Sequence, residues 1–262
     1  MNRERPTAIA LTVAGSDSGG GAGIQADLKT FRACHVFGTS VITCVTAQNP
    51  KCVSAVQAVE PRIVAEQMDR VFEAFRVGGA KTGMLYDAAI IETVADGFTR
   101  RKFRQLVVDP VMVATSGAVL LRKDAIAALQ AKLLPQAAVV TPNLAEAEVL
   151  WHRRIRTLDD LREAAHALAD HFGVPFVVKG GHLPSATRAV DVLYDGRKLR
   201  EFNGPVVRHV KPHGAGCTFS AAIAANLARG YDLVDSVRRA KVFVAKAIRN
   251  SIRLGRYLAL KI

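Results

Sequence analysis

The sequence predicts an α/β protein in which helices cover both faces of a mostly parallel central sheet. Short, strongly apolar runs alternate along the chain with amphipathic stretches of helical period. Polar and glycine-rich segments follow these runs, where the strands of a parallel sheet would end and where ligands of such sheets bind. No linker, repeat or low-complexity segment interrupts this order. Residues 1–262 are therefore expected to form a single three-layer α/β/α domain.

Six apolar runs are predicted to be buried strands because they are short and rich in β-branched residues. These runs are residues 9–14, 41–45, 80–82, 106–108, 138–140 and 176–178. Residues 189–194 and 198–202 are predicted to form a hairpin, because Asp195-Gly196 between them is a turn signal.

Helices are predicted where apolar residues recur at intervals of three and four. In residues 24–33, for example, Ile24, Leu28 and Phe31 fall on one face. Pro61 is typical of the first turn of a helix, here residues 61–75. The other predicted helices are residues 88–98, 123–134, 144–150, 158–172, 215–229 and 233–254.

The charge balance is strongly basic, with 36 Lys and Arg against 23 Asp and Glu. Such an excess could attract phosphorylated ligands, could bind nucleic acid, or could only reflect the background composition of the source organism. The cations are dispersed and not interleaved with aromatic residues, which argues against a nucleic-acid-binding surface. No apolar run reaches the ~20 residues of a membrane span, and residues 1–6 lack the apolar stretch of a secretory signal. A cytoplasmic protein without a membrane segment is expected.

No two of the four cysteines have the C-x-x-C spacing of a zinc or redox site, so reduced thiols are expected. Cys34, Cys44 and Cys52 are predicted to pack as small hydrophobic side chains. Cys217 lies in the first turn of a predicted helix, where the helix end is expected to lower the thiol pKa. A thiolate there could accept a proton from a substrate hydroxyl. The alternative is a buried structural thiol.

Two glycine-rich segments are candidates for ligand binding. In His213-Gly214-Ala215-Gly216-Cys217, the glycines let backbone N–H groups converge at a helix start, which makes either an anion hole or a simple turn. The turn over residues 15–23 has neither the Lys-Ser/Thr of a P-loop nor the spacing of a dinucleotide fingerprint. It could still wrap closely around a ligand. Asp27, shortly after it, could bind a ligand or only solvate the helix start.

Four further residues at or just after predicted strand ends are candidates for phosphate and metal binding. Asn143 and Glu146 place an amide and a carboxylate on one helix face, which suits either hydrated Mg²⁺ beside phosphates or an ordinary helix cap. Asp109 is a second candidate for the metal region. Lys179 could pair with nucleotide phosphates as a point charge, or be an exposed lysine at a strand end.

Taken together, these segments resemble the hydroxymethylpyrimidine/phosphomethylpyrimidine kinase family of thiamine biosynthesis, within the ribokinase-like superfamily. The matching stretches, from about residue 8 to residue 230, are AGSDSGGGAGIQADLKTF, VITCVTAQNP, AKTGML, VVDPVMVATSG, VVTPNLAEAEVL, VVKGGH and HGAGCTFSAAIAANLARG. The resemblance implies a ribokinase-like fold. It also implies an enzyme that uses ATP and Mg²⁺ to phosphorylate an aminopyrimidine alcohol and then to phosphorylate the resulting monophosphate. A homodimer is the assembly that the resemblance suggests.

The resemblance also assigns roles to individual residues. It implies substrate contacts at Gly15, Asp27, Gln48 and Met84, ATP contacts at Thr141 and Lys179, a Mg²⁺ site at Asn143 and Glu146 with Asp109 nearby, an anion hole at Gly214, Ala215 and Gly216, and a catalytic base at Cys217. An amide such as that of Gln48 suits an aminopyrimidine, because it donates and accepts hydrogen bonds together.

Some residues depart from the family pattern. The glycine-rich turn reads SDSGGGAG where many members have a proline and a serine before the glycines, and the anion hole reads GAGC where GTGC is commoner. Most related sugar kinases carry Asp at the position of Cys217, so the cysteine favours the pyrimidine branch. A pyridoxal-type vitamin kinase on the same scaffold remains the alternative enzyme. A non-catalytic pyrimidine-binding protein is the alternative from another class.

Overall fold

The computed structural model describes residues 7–112, 121, 123–181, 183, 188–205 and 213–262. Nine strands of this part of the chain form one sheet in the order β3-β2-β1-β4-β5-β6-β7-β8-β9. They are β1 (Ile9–Asp17), β2 (Phe37–Asn49), β3 (Cys52–Ala58), β4 (Gly79–Thr82), β5 (Leu106–Val108), β6 (Val139–Val140), β7 (Phe176–Lys179), β8 (Arg188–Tyr194) and β9 (Leu199–Pro205). Strands β2, β1, β4, β5, β6 and β7 run parallel to one another. Strand β3 pairs antiparallel with β2 at one edge of the sheet, and β8 and β9 pair antiparallel at the other edge. The predicted mostly parallel sheet and the predicted hairpin are confirmed.

Helices cover both faces of this sheet. They are α1 (Gly23–Ala33), α2 (Pro61–Ala74), α3 (Ala88–Arg100), α4 (Lys123–Ala128), α5 (Leu144–Trp151), α6 (Leu158–Phe172), α7 (Ala215–Ala228) and α8 (Leu233–Arg249). Successive residues of a strand pack against the helices on opposite faces of the sheet, since their side chains alternate in direction. Leu106 and Val108 join the core cluster under α2 to α6, whereas Val107 joins the cluster under α1, α7 and α8. None of the helices in these ranges has the length and hydropathy needed to cross a membrane.

Local sequence signals account for several element boundaries. Asp87 accepts a hydrogen bond from the backbone N–H of Ile90 and so caps α3. Thr157 and Asp160 form a capping box at the start of α6, and Gly173 ends that helix with φ of +69°. Pro61 stands in the first turn of α2, as its fixed φ favours.

The structure differs from the predicted elements at three places. Strand β3 was not predicted, because most of its residues are exposed and it lacks an alternating apolar pattern. The expectation that Cys52 packs inside is wrong for the same reason, since this residue lies exposed in β3. The helix predicted for residues 123–134 is α-helical only to Ala128 and continues as a wider and then a tighter turn up to Gln136. The last predicted helix ends at Arg249, and a small hairpin of β10 (Ile252–Leu254) and β11 (Tyr257–Ala259) follows.

The carboxyl ends of the parallel strands lie along one edge of the sheet, and α7 begins at this edge. Helix α7 packs across β1, β4 and β5. Its approach to β4 is close enough that a β-carbon at Gly79 would lie 2.3 Å from the carbonyl oxygen of Ala224. Because α7 runs back over the strands from this edge, its first turn lies beside the polar residues that end β1, β5 and β7.

Candidate active site

The residues that end β5 and β7 meet the first turn of α7. Lys179 Nζ lies 3.1 Å from Asp109 Oδ1, and the Ser220 hydroxyl donates to Asp109 Oδ2 over 3.1 Å. A β-carbon at Gly216 would lie 3.3 Å from Lys179 Nζ and 3.9 Å from Asp109 Oδ2. Lys179 and Asp109, predicted from separate motifs, therefore share one site with the predicted anion hole.

Helix α7 begins without a side-chain cap. Gly214 is its N-cap residue, with φ of +85°, and no side chain of the described residues caps it. A β-carbon at Gly214 would lie 1.8 Å from the carbonyl oxygen of Gly21, so only glycine fits between the two glycine-rich segments. An uncapped helix start next to a lysine is an electropositive site that suits an anion such as phosphate.

Asp17 organises the glycine-rich turn before α1. Its carboxylate accepts hydrogen bonds from the backbone N–H groups of Gly19 (2.7 Å), Gly21 (3.1 Å) and Ala22 (2.8 Å). It also lies 2.9 Å from His213 Nε2, immediately before the N-cap of α7. Burial alone would raise the pKa of Asp17, but the bonds from His213 and the backbone lower it, so the carboxylate is ionised. Asp17 was not singled out from the sequence, although it directly precedes the glycines.

Gln48 lies at the end of β2, beside this turn and His213. Its Nε2 is 3.2 Å from His213 Nε2, and its Oε1 is 3.1 Å from the Thr46 hydroxyl. The Ser18 hydroxyl bonds with both the backbone N–H and the carbonyl of Gln48, each over 2.8 Å. The half-buried amide is thus held at the mouth of the sheet, where the sequence predicts a substrate contact.

Gly15 and Met84 lie against each other and against Cys44. A β-carbon at Gly15 would lie 2.6 Å from Cys44 Sγ and 3.6 Å from Met84 Sδ. The backbone N–H of Gly15 donates to the carbonyl of Met84 over 3.1 Å. Two sulfur atoms therefore pack beside the glycine-rich turn, with Cys44 fully buried and Met84 8% exposed. Sulfur is polarisable and packs favourably on aromatic rings.

Asp27 occupies a different position from the one expected of a residue that touches the substrate. It is closed off from solvent, accepts a hydrogen bond from the Thr12 hydroxyl (2.6 Å) and pairs with Lys81. Lys81 Nζ lies 2.9 Å and 3.1 Å from the two carboxylate oxygens. Burial disfavours the charge on Lys81, but the attraction of Asp27 outweighs it and raises the pKa of Lys81. Lys81 was not predicted as a site residue, because a lysine within a short strand is usually an exposed charge.

Asn143 and Glu146 form a capping box at the start of α5. The Glu146 carboxylate accepts from the backbone N–H of Asn143 (2.8 Å), and the Asn143 side chain accepts from that of Glu146 (3.0 Å). Burial, with a smaller contribution from Asp109, raises the pKa of Glu146 to about 7, although Lys179 opposes this. No group of three His, Cys, Asp or Glu within the described ranges is placed to hold a metal ion. A metal would therefore need oxygen atoms of a ligand to complete its coordination.

Thr141 lies at the end of β6, between the strands that carry Asp109 and Lys179. Its backbone N–H donates to the carbonyl of Val108 over 2.9 Å. Its hydroxyl is buried and has no hydrogen-bond partner among the residues that the structure describes. A buried hydroxyl without a partner is costly, which is consistent with a ligand contact at this position.

The half-buried Cys217 stands in the first turn of α7, as predicted, but its protonation differs from the prediction. Burial raises the pKa of the Cys217 thiol to about 11, and the carboxylates of Asp27 and Asp109 add to this effect. Lys81 and the backbone N–H of Gly23 lower the pKa, but by less. The predicted low thiol pKa is therefore wrong, because desolvation is the largest influence on the thiol and the nearby carboxylates add to it.

Comparison with known proteins shows similarity along almost the whole chain. Residues 17–260 match the model of a family described as phosphomethylpyrimidine kinase. A hydroxymethylpyrimidine/phosphomethylpyrimidine kinase of Rhizobium meliloti strain 1021 is 50% identical over 249 residues, which cover 95% of this chain and 93% of that protein.

Solved structures of vitamin kinases have the same fold. The pyridoxal kinase of Bacillus subtilis, in complex with ADP, superimposes with a TM-score of 0.90 at 37% identity, over 97% of each chain. The phosphomethylpyrimidine kinase of Clostridium difficile 630 superimposes with a TM-score of 0.81 at 38% identity, over 92% of this chain and 99% of that one. The predicted fold is confirmed by these similarities.

Proposed function

Because the chain belongs to the phosphomethylpyrimidine kinase family, we propose that it phosphorylates hydroxymethylpyrimidine with ATP and then phosphorylates the resulting monophosphate. The observation that carries this proposal is the position of Lys179 beside Gly216 and Asp109, at the uncapped start of α7. Phosphoryl transfer depends mainly on positioning and charge stabilisation, and a lysine beside convergent backbone N–H groups supplies both.

In the proposed reaction, the primary hydroxyl oxygen of the pyrimidine attacks the γ-phosphorus in line. A new O–P bond forms, the bond from the γ-phosphorus to the β–γ bridging oxygen breaks, and ADP leaves. The backbone N–H groups of Gly214 to Cys217 and the Lys179 ammonium stabilise the charge on the transferring group. In the second reaction, a phosphate oxygen of the monophosphate takes the place of the hydroxyl.

Cys217 is the proposed acceptor of the hydroxyl proton. With a pKa of about 11, its thiol is mostly protonated at neutral pH, so the thiolate that acts as base is a minor species. The helix start, Lys81 and the N–H of Gly23 each favour this thiolate. Phosphoryl transfer tolerates a base of such low population, because the transition state is loose and the attacking oxygen gives up its proton late.

The pyrimidine is proposed to lie between Gln48 and Met84, with the buried Cys44 packed behind the methionine. The amide of Gln48 can donate to a ring nitrogen and accept from the adjacent amino group. Met84 Sδ beside Gly15 offers a polarisable face for the ring. Gly15 leaves room for this arrangement because it carries no side chain.

ATP is expected to lie over the ends of β6 and β7. The unpartnered Thr141 hydroxyl and the Lys179 ammonium are proposed to contact its phosphates. Asp109 and Glu146 would hold a hydrated Mg²⁺ together with phosphate oxygens, which is how Mg²⁺ usually binds to proteins. The bound ion would neutralise phosphate charge, and the Asn143 amide would keep Glu146 in place through the capping box.

A pyridoxal-type kinase is the second candidate, because one similar structure with a TM-score of 0.90 is a pyridoxal kinase. The ratio of kcat/KM for hydroxymethylpyrimidine to that for pyridoxal separates the two candidates. We expect a ratio above 10. The opposite ratio would assign the chain to the pyridoxal activity. A cytoplasmic location and a homodimer stay predictions from the sequence.

The experiment that tests the proposal is an ATP-coupled assay on hydroxymethylpyrimidine with the products resolved by mass. We expect the monophosphate first and the pyrophosphate later. ADP release without any change in the pyrimidine, at all concentrations up to the millimolar range, would contradict the proposal. Binding of the pyrimidine without ADP release would favour the non-catalytic alternative.

A further inference from the structure

The buried pair of Lys81 and Asp27 lies under the start of α7 without a role in the mechanism above. Both side chains have no exposure to solvent, and the ammonium contacts both carboxylate oxygens. A buried ion pair contributes little to stability compared with apolar residues of similar volume. Its presence next to a candidate active site therefore calls for a functional explanation.

The register of β4 against α7 locates the ammonium. A β-carbon at Gly78 would lie 3.0 Å from the carbonyl oxygen of Ala228, and one at Gly79 would lie 2.3 Å from that of Ala224. Contacts thus move toward the start of α7 as β4 proceeds. Lys81 lies two strand residues beyond Gly79, a distance of about 6.6 Å, and one turn of helix rises about 5.4 Å. Lys81 therefore lies about one turn nearer to the start of α7 than Gly79 does.

The lysine side chain extends farther in the same direction. A β-carbon at Gly83, beyond the end of β4, would lie only 2.7 Å from Lys81 Nζ. Gly79, Lys81 and Gly83 share one face of the chain, because strand side chains alternate. The ammonium therefore ends under the first turn of α7, between that turn and Asp27 on α1.

We propose that Lys81, held in place by Asp27, is a positioning residue that fixes a positive charge under the first turn of α7 and thereby sets how readily the Cys217 thiol releases its proton. The inference deepens the proposed function, on which the catalytic meaning of this thiol rests. Lys81 touches neither substrate nor nucleotide in this scheme and acts only through Cys217.

Several charged groups face Cys217 from the elements around the start of α7. Lys81 on β4 and Lys179 on β7 are cations, whereas Asp27 on α1 and Asp109 after β5 are carboxylates. The backbone N–H of Gly23, where α1 begins, also lowers the pKa of the thiol. Lys81 exerts the largest electrostatic effect on the thiol among these groups and favours its deprotonation. Neutralising the pair should therefore make the thiol harder to deprotonate.

The test is the alkylation rate of Cys217 by iodoacetamide, followed by mass spectrometry without substrate or metal. The parent carries Cys52→Ser, since Cys52 is exposed whereas Cys34 and Cys44 are buried. In Lys81→Met/Asp27→Asn we expect a roughly tenfold slower rate at pH 8, equal to about one unit of thiol pKa. Lys81→Met alone should give a similar result, because an unpaired buried Asp27 takes up a proton.

A second buried ion pair provides the control. Lys241 and Asp191 lie 2.7 Å apart, have side chains that are 13% and 7% exposed, and are not among the charged groups that face Cys217. Lys241→Met/Asp191→Asn should leave the alkylation rate within twofold of the parent. Equal rates in the parent and in a folded Lys81 variant would overturn the inference, and so would equal slowing in both double variants.

Kinase turnover separates this inference from the proposed function. In Lys81→Met/Asp27→Asn, the single-turnover rate should fall with the alkylation rate while the KM for ATP stays within threefold. If alkylation is slower in Lys81→Met/Asp27→Asn than in the parent, but the parent itself phosphorylates no pyrimidine, the effect of Lys81 on the thiol stands and the kinase proposal is refuted. Unchanged alkylation in an active kinase would refute the role of Lys81 alone.

Discussion

Asp17 and His213, which are 196 positions apart in the chain, meet at 2.9 Å and join the glycine-rich turn to the start of α7. The same carboxylate holds three backbone N–H groups of the turn. The substrate side of the site, near Gln48, is thus connected to the anion-binding side by a single side chain.

The contact of Asp17 predicts a stability effect that depends on pH. In Asp17→Asn, the free energy of unfolding at pH 7 should fall by about 1–3 kcal/mol, because the amide cannot accept all of these hydrogen bonds. The folded-state pKa of Asp17 is lowered, so its contribution is present above the ordinary value near 3.8 and is lost as the pH falls through the lower folded value. Urea unfolding at several pH values measures the difference.

The control for Asp17 is Asp96→Asn, at an exposed position on α3. It should change the unfolding free energy by less than about 0.5 kcal/mol at every pH. If Asp17→Asn were as harmless as this control, the carboxylate would not organise the glycine-rich turn.

The close approach of Gly214 to Gly21 predicts that the anion hole tolerates no side chain there. Gly214→Ala should lower kcat/KM by at least about 100-fold, because the β-carbon would force the first N–H groups of α7 out of position. Gly230→Ala is the matched control, since Gly230 has the same φ of +85° but a β-carbon there would have no neighbouring atom within 4 Å. It should cost about 1–2 kcal/mol of stability and leave kcat/KM unchanged. Equal activities of the two variants would refute this account of the helix start.

The location of Gln48 predicts a selective effect on substrate binding. Gln48→Ala should raise the KM for the pyrimidine by at least roughly tenfold and leave the KM for ATP within about twofold, because the lost amide is proposed to contact the ring and not the nucleotide. Gln57→Ala, on the exposed side of β3, should change neither constant. Equal weakening of both ligands by Gln48→Ala would indicate that the amide only supports the structure around His213.

The raised thiol pKa of Cys217 predicts how the chemical step responds to pH. If the thiolate is the base, the active fraction increases with pH up to a value of about 11. The single-turnover rate should therefore rise by up to about tenfold per pH unit between pH 7.5 and 9.5. Quenched-flow measurements on the parent and on Cys217→Ser check this, since the serine variant should lose the slope. A flat profile for the parent would argue against a thiolate base.

Much of the fold follows from local patterns in the sequence. Val107 and its neighbours belong to short β-branched runs, and such runs between amphipathic helices indicate a parallel sheet. Strand β3 escaped prediction because its residues are exposed on the edge of the sheet. The end of α8 was misplaced because an apolar pattern continues into the β10–β11 hairpin and no proline interrupts it.

The location of Asp109 and Lys179 at one site was predictable, because it depends only on their positions at strand ends. The roles that depend on distant partners could not be predicted. Asp17 needs His213, and Lys81 needs Asp27 from another element. The pKa of Cys217 was predicted in the wrong direction because helix position is a local property, whereas desolvation and neighbouring carboxylates arise only from the packed structure.

The most direct test of the account is the single-turnover rate of phosphoryl transfer to hydroxymethylpyrimidine in Cys217→Ser, with Cys52→Ser as the control. Cys217→Ser should fold with an unchanged unfolding midpoint, bind the pyrimidine within about threefold of the parent and transfer the phosphoryl group at least about 100-fold more slowly. Cys52→Ser should match the parent in all three measurements. A Cys217→Ser rate within threefold of the parent would contradict the assignment of this thiol as the proton acceptor.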